Sequence, residues 1–415
     1  MKYHTFTLPN GLRIIHRPTP SEVVYCGLCI AAGSRHELPE ESGMAHYCEH
    51  LSFKGTERRQ SRDIINGLER LGGDLNAFTT KEHTTYYAAL LKHDISTAID
   101  LLCDMVFHST YPEKELEKEL EVIVDEYNCY EETPPERIYD DFEERLFAGH
   151  PLGRNIFGNL EALRHCHSED VLHFARRHYR PEKMVFFVDG DVDFEAVVSE
   201  LERCTPAPGT GNEAAAHACI APDRLEAPFH VSMEQEGLIH QCHQIMGNRA
   251  YGMGDPKRMA LYLMNNILGG PAMNSRLNLQ LREKYGLVYS VESGMVNYSD
   301  CGLWYVYYAC GEEDAERCSE LVMKEVERLR RQPLSQEELR AAQKQLKGQL
   351  AVAGDNRESL ALDFAKTYLY HGKEKDLHQL FQTIDSIRSE ELTEVANEIF
   401  VPERLSAMAM LPPSR

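Results

Sequence analysis

The sequence predicts an α+β fold present in two copies, each an antiparallel sheet with flanking helices. Three observations carry this reading. The chain has 415 residues, more than one ordinary core holds at roughly 150 residues per domain. Both halves pass through the same series: a helix, a Gly-Gly pair, strands, a helix and a further helix, with Gly72-Gly73 and Gly269-Gly270 in matching places. Between them lies "CTPAPGTGNEAAAHACIAPD", rich in Pro, Gly and Ala and without periodicity, which reads as a linker. The expected division is 1–204, a linker at 205–223, and 224–415.

In the first half, "LPNGLRIIHRP" carries an Asn-Gly turn between strands, and "EVVYCGLCIAAGS" is a run of β-formers ending in Gly. Ser42-Gly43 opens a helix that runs through His50, and "SRDIINGLERLGG" is a helix stopped by its glycines. "DLNAFTTKEHTTYYAALL" is strand-like, rich in Thr, Tyr and Phe. "DISTAIDLLCDMVFH" and "EKELEKELEVIVDEYNCY" are helices, the second with Leu116, Leu120, Ile123 and Tyr127 as an apolar stripe at steps of 4, 3 and 4. "PEKMVFFVDGDVD" is a buried strand with a turn. In the second half, "RMALYLMNNILGG" is a helix and "YGLVYSVESGMVNYSDCGLWYVYYACG" a pair of strands. "AERCSELVMKEVERLRRQ" and "SQEELRAAQKQLKGQLAVAG" are helices.

Composition excludes some functions. The net charge is -22, the wrong sign for holding nucleic-acid phosphates and compatible with cationic partners. No apolar run approaches the ~18 residues of a membrane span. The first residues, "MKYHTFTLPNGLRIIHRPTP", show no apolar leader segment, so the expected compartment is the cytoplasm. Twelve scattered cysteines suit free thiols better than a disulfide framework.

Chemistry concentrates in "ESGMAHYCEHLSFKGT". On a helix, His46 and His50 are one turn apart and share a face, with Glu49 on nearly the same side. Two imidazoles so placed can hold one Zn²⁺, and the carboxylate can act as a base toward water there. A third ligand must come from elsewhere. Glu126 is a candidate beside the apolar stripe, and Glu119, two turns earlier on the same face, could orient a ligand histidine. Glu115, Glu117, Glu121, Glu131 and Glu132 crowd the same stretch, so composition leaves that choice open. Cys48 is two residues from each histidine and is expected to pack in the core instead.

His46-x-x-Glu49-His50 is the inverted zinc motif of inverzincins. The context resembles pitrilysin-type metallopeptidases, in particular the shorter members similar to mitochondrial processing peptidase and its bacterial relatives. "GSRHELPEESGMAHYCEHLSFKGT" is similar to the zinc helix and its flanks, and "ELEVIVDE" to the helix bearing two Glu seven apart. "GGDLNAFTTKEHTTYY" resembles the edge strand that pairs with substrate, and "LGGPAMNSRLNLQLREKYGLVYSV" the second-domain segment with an Arg and a Tyr. The resemblance covers nearly the whole chain. It implies one zinc per chain, held by His46, His50 and Glu126, with Glu119 behind a ligand and Glu49 as general base. It also implies peptide binding along Asn76, Ala77 and Phe78, and Arg282 and Tyr289 as donors to the developing oxyanion. Leu120 follows Glu119 where the family often has Arg. The fold implied is two homologous domains facing across an enclosed chamber. The function implied is a zinc endopeptidase of extended segments, acting as a homodimer or as a heterodimer with a related subunit. The competing expectation is a non-catalytic peptide-binding or assembly subunit.

Other clusters read as incidental. A spacing of three puts Cys26 and Cys29 on opposite faces of a strand. His165-Cys166-His167 and His240-Gln241-Cys242-His243 lack further ligands at metal spacing.

Overall fold

The computed structural model describes residues 3–207, 228–234 and 241–413. The expected linker lies outside the described residues from 208 onward. Strands β1 (His4–Thr7), β2 (Arg13–Pro18) and β3 (Val23–Ile30) lead into helices α1 (Met44–Leu51) and α2 (Ser61–Glu69). The Asn-Gly turn before β2 depends on Gly11 at φ +91°, a conformation that costs glycine little. The Thr- and Tyr-rich run is a hairpin, β4 (Asp74–Thr79) and β5 (Thr84–Leu91), its turn closed by the Thr80 hydroxyl against His83. Helices α3 (Ile95–Phe107), α4 (Glu113–Glu131), α5 (Pro134–Leu146), α6 (Leu160–Leu163) and α7 (Ser168–His178) follow, then β6 (Met184–Gly190) and α8 (Phe194–Cys204). The second series is β7 (His230–Glu234), β8 (Cys242–Ala250), α9 (Arg258–Gly269), a π-helical stretch at Asn278–Lys284, β9 (Val288–Asn297) and β10 (Gly302–Cys310). It closes with α10 (Ala315–Arg331), α11 (Gln336–Ala353), α12 (Arg357–His371), α13 (Leu377–Ser386), α14 (Ser389–Ile399) and β11 (Ser406–Leu411).

The strands form two sheets, ordered β1-β2-β6-β3-β5-β4 and β7-β11-β8-β10-β9. Leaving out β1, the two orders are the same: first, fifth, second, fourth and third strand of each series. The expected antiparallel pairing holds for every neighbour but one in each sheet, β2 with β6 and β7 with β11, which run parallel. Those pairs occupy equivalent places, so the duplication is visible in topology. The edge strand β4 of the first sheet corresponds to β9 of the second.

Compactness divides the chain differently from the boundaries 1–204 and 224–415. The described residues of 1–127, 154–219 and 353–376 form one unit, and those of 128–153, 220–352 and 377–415 the other. The reason is apolar burial. In the first unit, Ala361, Phe364, Ala365 and Leu369 of α12 pack with Ile15, Cys29, Val185 and Phe187 of the sheet. Arg357 at the head of α12 reaches buried Asp189 on β6 through Nε at 3.0 Å. In the second unit, Ile138, Phe142 and Leu146 of α5 pack with Ile245, Leu303, Tyr307, Met408 and Met410. Each sheet is thus completed by a helix from the distant part of the sequence. The main core of the second unit gathers α9, α10 and α14 around Trp304, which is fully buried.

Candidate metal centre

Helix α1 is short, yet Met44, Ala45, His46, Tyr47, Cys48, Glu49 and Leu51 are all buried. Its start is held by backbone geometry and one carboxylate. Gly43 sits at φ +96°, and Glu37 accepts hydrogen bonds from the amides of Gly43 at 3.0 Å and Ala45 at 2.8 Å. Burial pushes the Glu37 carboxyl up to about 8, partly offset by these two bonds, so hydrogen bonding rather than net charge anchors the turn. From this anchored turn His46 and His50 project on one side, with Nε2 atoms 3.2 Å apart. Cys48 points elsewhere, its Sγ 3.4 Å from the Tyr111 hydroxyl, and burial pushes its thiol up to about 11.

Helix α4 brings Glu126 to the same point. Its Oε2 is 3.8 Å from His46 Nε2 and 3.6 Å from His50 Nε2. A tetrahedron with bonds of about 2.0–2.1 Å has edges of about 3.3 Å, so three atoms at this spacing fit one zinc ion. Two imidazoles and a carboxylate are a borderline donor set that leaves a fourth position for water or substrate. Among the described residues, His46, His50 and Glu126 are the group of three so spaced. Behind His50, Glu119 Oε1 stands 3.0 Å from Nδ1, and its other oxygen pairs with Lys54. That bond places the proton of neutral His50 on Nδ1 and leaves Nε2 free to donate its lone pair.

Electrostatics distinguishes the two histidines. Burial, with His50 beside it, lowers His46 to about 3, so it is neutral and ready to coordinate. Burial also opposes charge on His50, but the Glu119 hydrogen bond and the carboxylates of Glu49, Glu119 and Glu126 outweigh it and raise its pKa. Burial works against ionised Glu119 too, yet its bonds to His50 and Lys54 keep it below the usual range. Glu49 goes the other way. Burial raises its carboxyl, partly offset by the Thr79 hydroxyl, which donates to Oε2 at 2.6 Å.

Thr79 ends β4, so the edge strand is tied directly to Glu49. Asn76 on β4 is exposed and Ala77 and Phe78 are half-buried. The Phe78 ring packs against His83 and Tyr87. Spacing alone did not identify Thr79 or Lys54; Lys54, one turn beyond His50, left only that faint signal.

Arg282 and Tyr289 belong to the second unit. The guanidinium carbon lies 5.5 Å from the Tyr289 ring centre, and Tyr289 is 80% exposed. Both line a cavity of ≈ 370 Å³ beside β9, together with Asn265, Asn266 and Glu292. Helix α9 contains neither His nor Glu. Cys26 and Cys29 are buried on β3 with thiols pushed up to about 12 and about 11 by burial. His167 pairs with Glu113 at 2.7 Å on an exposed surface. His240 lies outside the described residues, while His243 stacks on Tyr307 in the second unit.

Residues 13–160 match the family model described as insulinase (peptidase family M16), and residues 166–346 match the M16 inactive domain. The chain is similar to the uncharacterized zinc protease YmxG of Bacillus subtilis, 32% identical over 99% of this chain and 98% of that one. It is also 32% identical to an uncharacterized zinc protease of Streptomyces coelicolor, over 95% of this chain and 86% of that one. The crystal structure of a protease from Helicobacter pylori superposes with a TM-score of 0.87 at 21% identity, covering 99% of each chain. That of an M16 inactive domain from Pseudomonas fluorescens gives 0.87 at 19% identity, covering 100% of this chain and 99% of that one.

Proposed function

The chain belongs to the insulinase-type M16 peptidase family, and on that premise we propose that it is a zinc-dependent endopeptidase of peptides and extended segments, working inside an enclosed chamber. The observation that carries the reading is the convergence of His46 Nε2, His50 Nε2 and Glu126 Oε2 within 3.2–3.8 Å of one another, with Glu49 one residue from a ligand. Those three, the group of donors so spaced among the described residues, would hold one zinc per chain. Bound zinc supplies Lewis acidity, lowering the pKa of water toward ~7 and polarising a peptide carbonyl.

This chain's residues do the rest. Glu49 Oε2 is occupied by the Thr79 hydroxyl, which leaves Oε1 to take the proton of the attacking water and pass it to the leaving amine. The raised affinity of Glu49 for a proton suits a group that must accept one and then give it back. Glu119 keeps His50 in the tautomer that coordinates. The backbone of β4, at the edge of its sheet, would take substrate as an added strand, and Asn76 would hold it in register. On the family pattern, Arg282 and Tyr289 donate to the oxyanion. The partner expected on the same pattern is a second, related chain or another copy, which sedimentation of the purified protein tests.

The deciding experiment measures bound zinc and peptide cleavage for wild type and Glu49→Gln. The variant is expected to keep zinc and lose cleavage by about 10²–10⁴-fold. A fully zinc-loaded wild type that cuts no peptide would instead favour a binding or assembly subunit.

A further inference from the structure

We propose that Phe157 is a positioning residue of the metal centre: ring packing from Phe157 orients His46, where a hydrogen bond from Glu119 orients His50. The two histidines are supported by different means. His50 has Glu119 at 3.0 Å behind its Nδ1. His46 presents Nε2 to the same point, but no described protein group pairs with its buried Nδ1. A coordinating imidazole usually owes its orientation to the partner of its other nitrogen. His46 is packed against a ring instead. Phe157 meets it edge to face, with centres 5.3 Å apart and planes at 90°.

Phe157 also reaches the other ligand helix. Its ring lies 5.5 Å from that of Tyr127 at 74°, and Tyr127 follows Glu126 in α4. One side chain, 5% exposed, therefore touches a ligand on α1 and the neighbour of a ligand on α4.

The segment carrying Phe157 is locked to the start of α1. Asn159 donates its amide to the Ser42 carbonyl at 3.1 Å. Arg154 donates to the Glu37 carbonyl at 2.8 Å, and the Glu37 carboxylate in turn caps α1. A Cβ on Gly158 would fall 2.1 Å from the Gly43 nitrogen, and one on Gly43 would fall 2.5 Å from the Phe157 carbonyl oxygen. Such contacts exclude any side chain, so "RNIFGN" and the first turn of α1 are one backbone-on-backbone construction. Phe157 holds His46 from a fixed base. Without that ring, the ring contact left to His46 is His50, with centres 4.6 Å apart at 78°, itself a side chain that must settle at the same point, so more of the ordering falls to the moment metal binds.

This inference rests on His46, His50 and Glu126 as the zinc ligands. It is tested on the full chain with Phe157→Leu, which keeps apolar bulk but not the flat ring, and Phe157→Ala. Zinc affinity is measured by competition with a chelating dye, the ligand field by Co²⁺ absorption, and stability by thermal unfolding without metal. Zinc binding is expected to weaken about 10–100-fold, the range for losing a ligand's outer partner, with an altered Co²⁺ spectrum. If the alanine variant does not fold, the leucine variant decides. Wild-type zinc affinity and Co²⁺ spectrum in Phe157→Leu would overturn the proposal whatever its melting temperature. A wild type that binds no zinc would overturn the metal centre itself, which is a separate result.

Discussion

Histidines outside the candidate metal centre set an acid limit on the first unit. His83 is 6% exposed, and burial, with Lys366 and His36 nearby, lowers it to about 3. Burial and Arg35 lower His36 to about 4. Both values lie below the ordinary 6.5, so the unfolded chain takes up these protons first. The stability they contribute is present above about 6.5 and is lost as pH falls toward 4 and 3. The melting temperature of chelator-treated protein should therefore fall already between about pH 6.5 and 5, before most carboxylates titrate. His83→Asn should flatten that slope, and an unchanged slope would count against the assignment. At this scale the sequence is partly legible. His46, Glu49 and His50 stand out because helical spacing places them on one side. Glu126 was distinguishable from its acidic neighbours only by family resemblance. Thr79 and Phe157 were invisible because their contacts join residues distant in sequence.

Among the elements, β4 has the clearest task. Among the described residues it pairs only with β5, which leaves a row of backbone groups open for another strand. Asn76 is exposed there. Asn76→Ala should raise KM several-fold with little change in kcat and none in zinc content. A loss confined to kcat, measured by steady-state kinetics, would remove Asn76 from substrate binding. Helix α1 shows why an element can be legible in outline and not in detail. Its start at Ser42-Gly43 was readable from the sequence, but its burial on nearly every side was not, since an eight-residue helix is marginal alone and depends on packing. The hairpin of β4 and β5 was readable as β-rich, while its turn was hidden among Thr and His residues that also favour strands.

At the level of the whole molecule, the two exchanged helices carry the main consequence. Phe364 of α12 is fully buried in the first unit, and Phe364→Ala should cost about 3–5 kcal/mol, measured by denaturant unfolding. Residues 1–207 expressed alone would lack α12 and leave the sheet face of Ile15, Val185 and Phe187 uncovered. They should be poorly soluble alone and should copurify with 224–415 when the two are coexpressed. A soluble, cooperatively melting 1–207 fragment would refute this. Among the described residues, no helix is long and apolar enough to cross a membrane, in line with the hydropathy of the sequence.

The sequence by itself determined the α+β class, the duplication, the order of most strands and helices, and the local metal motif. These follow from periodicity, turn chemistry and spacing, which act over a few residues. Tertiary structure alone decided which unit α5 and α12 complete, which carboxylate approaches which imidazole nitrogen, and which ring packs on His46. An apolar stripe specifies that a face must be buried but not against what, and a coordination shell is defined by through-space distances of a few ångströms that no linear spacing encodes.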